Sequence, residues 1–216
     1  MTEPTHASSA PPRRAPVVGV LLAAGAGTRA GRPKALVRDA DGTPWLSRGC
    51  ATLLDGGCDA VVVVLGARAE EARGLVPADP RLLVVVADDW AEGLGASLRA
   101  GLDAVAGPEV ASLLGAAGAP EEARSTLVSL VDLPGLPPAA VARLLDGEGA
   151  RSAGALRQAV SGGRPGHPVL VGPDHRSALA ASLHGDVGAR GYLRAHDAEQ
   201  VDCTDLWDGA DVDRPA

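Results

Sequence analysis

The chain has 216 residues, of which 46% are hydrophobic and 22% charged, and its formal net charge is −7. That length suits a single domain with a core large enough to need no disulfide or metal support, and the balance of apolar and charged residues excludes global disorder and fibrous architectures. The acidic excess argues against a nucleic-acid binder, which carries a basic face, and no apolar run is long enough for a membrane-spanning helix.

In chain order, residues 1–15 are rich in Pro, Ser and Thr without periodicity and read as a disordered tail. Residues 17–23 form a continuous apolar run ending before Gly25, the pattern of a strand buried on both faces. A helix is expected over 44–54, a second buried strand over 60–65 and a third over 82–87. Leu98 and Leu102 give helical spacing to 96–105, and 106–124 is an Ala- and Gly-rich, partly helical connection. A fourth strand over 126–131 stops before Pro134, and Pro137-Pro138 opens a helix at 139–145, where proline is tolerated. Strands over 155–160 and 169–171 can pair; helices follow at 174–183 and 189–196, then a last strand at 200–203. This alternation indicates an α/β fold with a mostly parallel sheet, which binds ligands beyond the carboxyl ends of its strands. The expected domain spans 16–205, with an acidic C-terminal tail over 206–216.

The composition is skewed: Phe, Ile and Asn are absent, alanine fills 41 positions, and 19 of the 20 basic residues are arginine. The codons of the missing residues are AT-rich, which points to a GC-rich genome and a core of Val, Leu and Ala. The sole lysine, Lys34, stands where a compact ammonium is needed or where chance left one. The cysteines, Cys50, Cys58 and Cys203, are odd in number and scattered, so a reducing cytoplasm is expected. Arg13-Arg14 ahead of a short apolar run looks like a twin-arginine signal, but Pro16 and the brevity of the run argue against export.

The strand at 17–23 leads into a loop carrying Gly25, Gly27, Arg29, Gly31, Pro33 and Lys34. Glycines let backbone N–H groups approach phosphate oxygens, and Arg29 and Lys34 supply cationic charge. A Walker A loop fails, because Pro33 precedes Lys34 and Ala35 follows it. A dinucleotide fingerprint fits loosely as Gly25, Gly27 and Ala30, but Gly31 and Pro33 interrupt the helix it must open. A loop wrapping a nucleoside triphosphate and a plain Gly-rich turn both remain open. Asp132 follows a buried strand, where a carboxylate suits Mg²⁺ or caps the next helix. Asp186 precedes a helical run and reads as an N-cap or a ligand.

The segment Leu22 to Lys34, LAAG-x-G-x-R-x-G-x-PK, resembles the signature of MobA-like nucleotidyltransferases. Gly166-His167-Pro168-Val169 and Gly185-Asp186-Val187-Gly188-Ala189-Arg190 are similar to segments of the molybdenum cofactor cytidylyltransferase (MocA-like) branch, and Trp90 to Gly93 followed by Ser97-Leu98 and Gly101-Leu102 resembles a further segment of the family. The resemblance implies a Rossmann-like three-layer sandwich of the nucleotide-diphospho-sugar transferase type. It also implies transfer of a nucleoside monophosphate from an NTP, CTP by the LAAG tendency, to a molybdopterin-type acceptor with release of pyrophosphate. The nucleotide site it implies comprises Leu22, Ala23, Ala24, Gly25, Gly27, Arg29, Lys34 and Ser97, with Lys34, Arg29 and Asp132 catalytic. Mg²⁺ falls to Asp132 and Asp186, and the acceptor to Gly166, His167 and Arg190. A molybdoenzyme is the implied client. Use of GTP, a sugar or alcohol phosphate acceptor, and a non-catalytic accessory role remain alternatives. The chain departs from the pattern at Ala30, at Ala87-Asp88 and at Arg214.

Overall fold

In a computed structural model, residues 14–28, 31–115, 120–147 and 149–212 are described. Residues 1–13 of the tail expected over 1–15 lie outside them, as does Arg29. Seven strands form one sheet in the order β3-β2-β1-β4-β6-β5-β7: β1 (Val17–Ala23), β2 (Ala60–Leu65), β3 (Leu82–Val86), β4 (Ser125–Leu130), β5 (Leu156–Ser161), β6 (Arg164–Val171) and β7 (Glu199–Asp202). β6 pairs antiparallel with both neighbours, and every other pairing is parallel. The helices are α1 (Trp45–Asp55), α2 (Ala69–Arg73), α3 (Leu94–Ala106), α4 (Pro108–Leu113), α5 (Pro138–Leu144), α6 (Pro173–Ser182) and α7 (Arg190–Ala195).

Side chains of successive strand residues point to opposite faces, and the aliphatic runs use this to feed two cores. Val17, Leu21 and Ala23 of β1 join Leu46 and Leu53 of α1 and Val141 and Leu144 of α5 on one face. Val18, Val20 and Leu22 join Leu98 and Leu102 of α3, Leu179 of α6 and Leu193 of α7 on the other. The result is three layers, helix–sheet–helix, without a phenylalanine. Close seating compensates for the small side chains: a Cβ on Gly101 of α3 would stand 2.6 Å from Val20 Cγ1.

The expected strands are all present; β1 and β2 keep the expected bounds, and the other five are shifted at one or both ends. β5 and β6 form a hairpin through Gly162 and Gly163, both at positive φ, and β6 starts at Arg164, before the apolar stretch that marked it in the sequence. The expected tail over 206–216 needs correction where it is described. Leu206, Trp207 and Val212 pack against the core, so this stretch has apolar contacts that hold it in place.

β1 and β4 are neighbours, but the chain leaving β1 goes to β2 on one side and the chain leaving β4 goes to β5 on the other, so the connections after these two carboxyl ends run in opposite directions. That divergence opens a crevice between the loops that follow β1 and β4.

Candidate functional site

The loop after β1 folds back tightly. Gly27 sits at φ +63°, and a Cβ there would fall 1.9 Å from the carbonyl oxygen of Arg32, so only glycine fits. Lys34 then opens a short 3₁₀ turn, Lys34–Leu36. Its Nζ donates to Asp132 Oδ2 at 2.8 Å across the crevice, and the two side chains are 16% and 18% exposed. The other carboxylate oxygen, Asp132 Oδ1, is buried and has no hydrogen-bond partner among the described residues. Asp132 does not cap α5, whose N-cap is Pro137 without a side-chain bond.

Asp186 lies on the turn that precedes α7. The helix is capped by Ala189 without a side-chain bond, so the capping reading of Asp186 fails. The turn instead docks on the start of α3, where Gly95 N–H donates to Gly185 O at 2.9 Å. Asp186 Oδ1 rests against Gly93, where a Cβ would be 2.6 Å away. Gly25, Gly27, Lys34, Ser97, Asp132 and Asp186 line one cavity of about 460 Å³, together with Leu22, Ala23 and Ala24.

A second cavity, of about 510 Å³, adjoins it and shares Leu22, Leu94 and Leu130 with the first. Its walls are largely aliphatic, and Gln158, Arg164, His167, Arg190 and the main chain at Gly166 supply polar groups. Gln158 Nε2 donates to Gly166 O at 3.0 Å, which fixes the strand beside His167. Burial pushes the His167 imidazole down to about 4, against a weaker opposing pull from Asp132. His167 is therefore neutral at pH 7 and offers a hydrogen bond rather than a positive charge to a ligand.

The donor set in the first cavity is oxygen only, which suits a hard divalent cation. Among the described residues no three carboxylate, imidazole or thiol groups converge, so a cation there would take its remaining ligands from phosphate and water. The unpartnered Asp132 Oδ1 is the atom such a cation would satisfy.

The sequence profile of the MobA-like NTP transferase domain matches residues 19–201. The chain belongs to the MobA-like NTP transferase family. It is 39% identical over 204 residues to nicotine blue oxidoreductase of Paenarthrobacter nicotinovorans, covering 91% of this chain and 92% of that one. Among solved structures, an Rv0371c homologue from Mycobacterium sp. strain JC1 is 31% identical with a TM-score of 0.69, covering 94% and 92% of the two chains. Rv0371c of Mycobacterium tuberculosis H37Rv is 26% identical with a TM-score of 0.70, covering 94% and 95%, and that protein has also been solved in complex with manganese.

In this MobA-like chain every described residue expected at the nucleotide side lines one cavity, and Gly166, His167 and Arg190 line its neighbour. Sequence reasoning missed Leu94, Gln158 and Arg164. Leu94 falls in the gap between the Trp90–Gly93 and Ser97-Leu98 segments and carries no polar group to mark it, and the other two lie on strands whose pairing the local pattern leaves open. Among the described residues, no helix is long and apolar enough to cross a membrane.

Proposed function

We propose that this protein transfers a nucleoside monophosphate, from CTP, to a molybdopterin-type phosphate acceptor in the cytoplasm, in support of a molybdoenzyme. The observation that carries the reading is the Lys34–Asp132 pair with its unpartnered Oδ1, set in a glycine-lined cavity that opens onto an apolar one. The acceptor phosphate oxygen forms a bond to the α-phosphorus of the NTP while the bond to the β-phosphate bridging oxygen breaks, and pyrophosphate leaves.

In this reading the chain binds, orients and neutralises rather than reacting covalently. The backbone at Gly25 and Gly27 faces the triphosphate, and Lys34 faces the charge that develops at the α-phosphate. Arg29, by its place in the motif, serves the outer phosphates. Ser97, buried at the cavity wall, contacts the nucleotide. Asp132 and Asp186 would hold Mg²⁺, which supplies further charge neutralisation on the phosphates; the manganese complex of Rv0371c supports a divalent ion. Arg190 and the main chain at Gly166 orient the acceptor, with neutral His167 as a hydrogen-bonding group.

A second reading rests on the relative at 39% identity, whose name makes it an oxidoreductase acting on nicotine blue. The largely aliphatic cavity suits an apolar substrate as well as a pterin. One experiment separates the two. Pyrophosphate release is measured with Mg²⁺, molybdopterin and each of CTP, GTP and ATP, and in parallel the bleaching of nicotine blue by reduced nicotinamide cofactors. Release with CTP alone is the expected result. Release with GTP alone overturns the base assignment, and bleaching without release overturns nucleotidyl transfer.

A further inference from the structure

The loop that presents Asp132 begins where β4 loses its neighbours. On one side the ladder to β1 ends with Val131 N–H donating to Leu22 O at 3.0 Å. On the other, β6 pairs with β4 only from Thr126↔Val171 to Val128↔Val169. The sheet therefore does not fix the main chain at Asp132, although a metal-binding carboxylate needs its backbone held.

The C-terminal segment reaches this place after crossing the end of the sheet. From β7 it turns at Cys203, whose carbonyl accepts from Leu206 N–H at 2.9 Å and Trp207 N–H at 3.1 Å. Asp205 pairs with Arg143 of α5, with Oδ2 2.9 Å from Nη2. The Trp207 indole covers Gly135, where a Cβ would stand 3.3 Å from Nε1. Gly209 lies on Ser161 at the end of β5, with room for no Cβ (2.8 Å to Ser161 Cβ). Val212 N–H then donates to Asp132 O at 2.9 Å. Residues 130–138 are thus gripped at Asp132, at Gly135 and, through Arg143, on the helix that follows.

We propose that residues 206–212 are a strap that sets the position of Asp132, and that Val212 is a positioning residue acting through its main-chain N–H. The inference rests on the reading in which Asp132 holds a divalent cation. Substitution tests it in the full chain, because Val212→Pro removes the N–H and Val212→Ala keeps it. A backbone hydrogen bond of ordinary net strength corresponds to about five-fold in an equilibrium. For Val212→Pro, amide hydrogen exchange over 130–136 should quicken about five-fold, and Mn²⁺ binding, read from the free-ion electron paramagnetic resonance signal, should weaken by a similar factor. The Mg²⁺ concentration for half-maximal pyrophosphate release should rise in step, while the CTP KM holds. Val212→Ala should match the wild type in all three.

Trp207→Ala, which loosens the anchor on Gly135 without touching Val212, should shift exchange and Mn²⁺ binding in the same direction, and it serves alone if Val212→Pro fails to fold. Unchanged exchange and Mn²⁺ binding in Val212→Pro, or in Trp207→Ala if that variant stands alone, would overturn the strap. If exchange and Mn²⁺ binding shift but the wild type releases no pyrophosphate with any acceptor, the strap stands and nucleotidyl transfer falls.

Discussion

Removing Lys34 should damage the fold and the chemistry by separable amounts. In Lys34→Met the Asp132 carboxylate loses an ammonium at 2.8 Å in surroundings where its side chain is only 18% exposed. Breaking a fully buried pair by deleting one partner costs about 3–5 kcal/mol, so a pair with this residual exposure should lose about 2–3 kcal/mol. For a chain of this length that lowers the melting temperature by roughly 4–12 °C. Asp132→Asn should cost less, because the amide oxygen can still accept from Lys34. The double variant Lys34→Met/Asp132→Asn should recover at least about 1 kcal/mol relative to the sum of the singles, since no charge is left stranded. Activity should not recover with it, as the loss of a charge aimed at the reacting phosphate costs about 10²–10³ in kcat. Urea unfolding of the four proteins gives the cycle, and pyrophosphate release gives the rates. Strict additivity of the two stability losses would refute the coupling, and a double variant with near-wild-type turnover would refute the role of both residues.

Gly93→Ala should displace the Asp186 turn, because its Cβ would lie 2.6 Å from Asp186 Oδ1 and from the Gly185 carbonyl at a φ of +121°. A stability loss of about 1–3 kcal/mol with a raised Mg²⁺ requirement is expected, and an unchanged Mg²⁺ titration would contradict the placement of Asp186. Asp186→Asn, on an exposed turn, should leave the melting temperature within a degree or two while raising the Mg²⁺ requirement; an unaltered requirement would remove Asp186 from the site. His167 is held near 4 in the folded chain against an ordinary 6.5, so the unfolded chain binds more protons between those values. Its contribution is complete above pH 6.5 and is lost as pH falls towards 4, by about 2 kcal/mol after allowance for partial exposure. Urea midpoints of the wild type and His167→Gln at pH 7 and pH 4.5 check this, and equal slopes with pH in both proteins would disprove it.

The parallel strands were legible because burial on both faces writes them as runs of Val and Leu, as in the AVVVVL of β2. The loop after β1 was legible because Gly27 and Gly31 hold positive φ and the Arg32 carbonyl leaves no room for a Cβ at Gly27. β6 was only half visible: Arg164-Pro165-Gly166-His167 has no apolar alternation, and its pairing depends on the turn at Gly162-Gly163. The five residues of α2 are too few to show a helical period. Asp186 was ambiguous for a physical reason, since a carboxylate ahead of a helix looks alike whether it caps or faces a cavity. The bond from Gly95 to Gly185 decides it, and that contact is tertiary. The segment over 206–212 read as a tail because its partners, Gly135, Ser161 and Asp132, are remote in sequence.

The wall common to the two cavities consists of Leu22, Leu94 and Leu130, three side chains with no polar atom to anchor a solvent molecule. A triphosphate on one side and an acceptor on the other would meet over a surface that water wets poorly. The choice between productive transfer and wasteful hydrolysis would then be made by the shape of this seam as much as by any charged group. Leu94, 39% exposed, is the part of the seam most open to solvent. A polar side chain at that position would let the protein spend nucleotide on water, an idle turnover that grows as the acceptor becomes scarce.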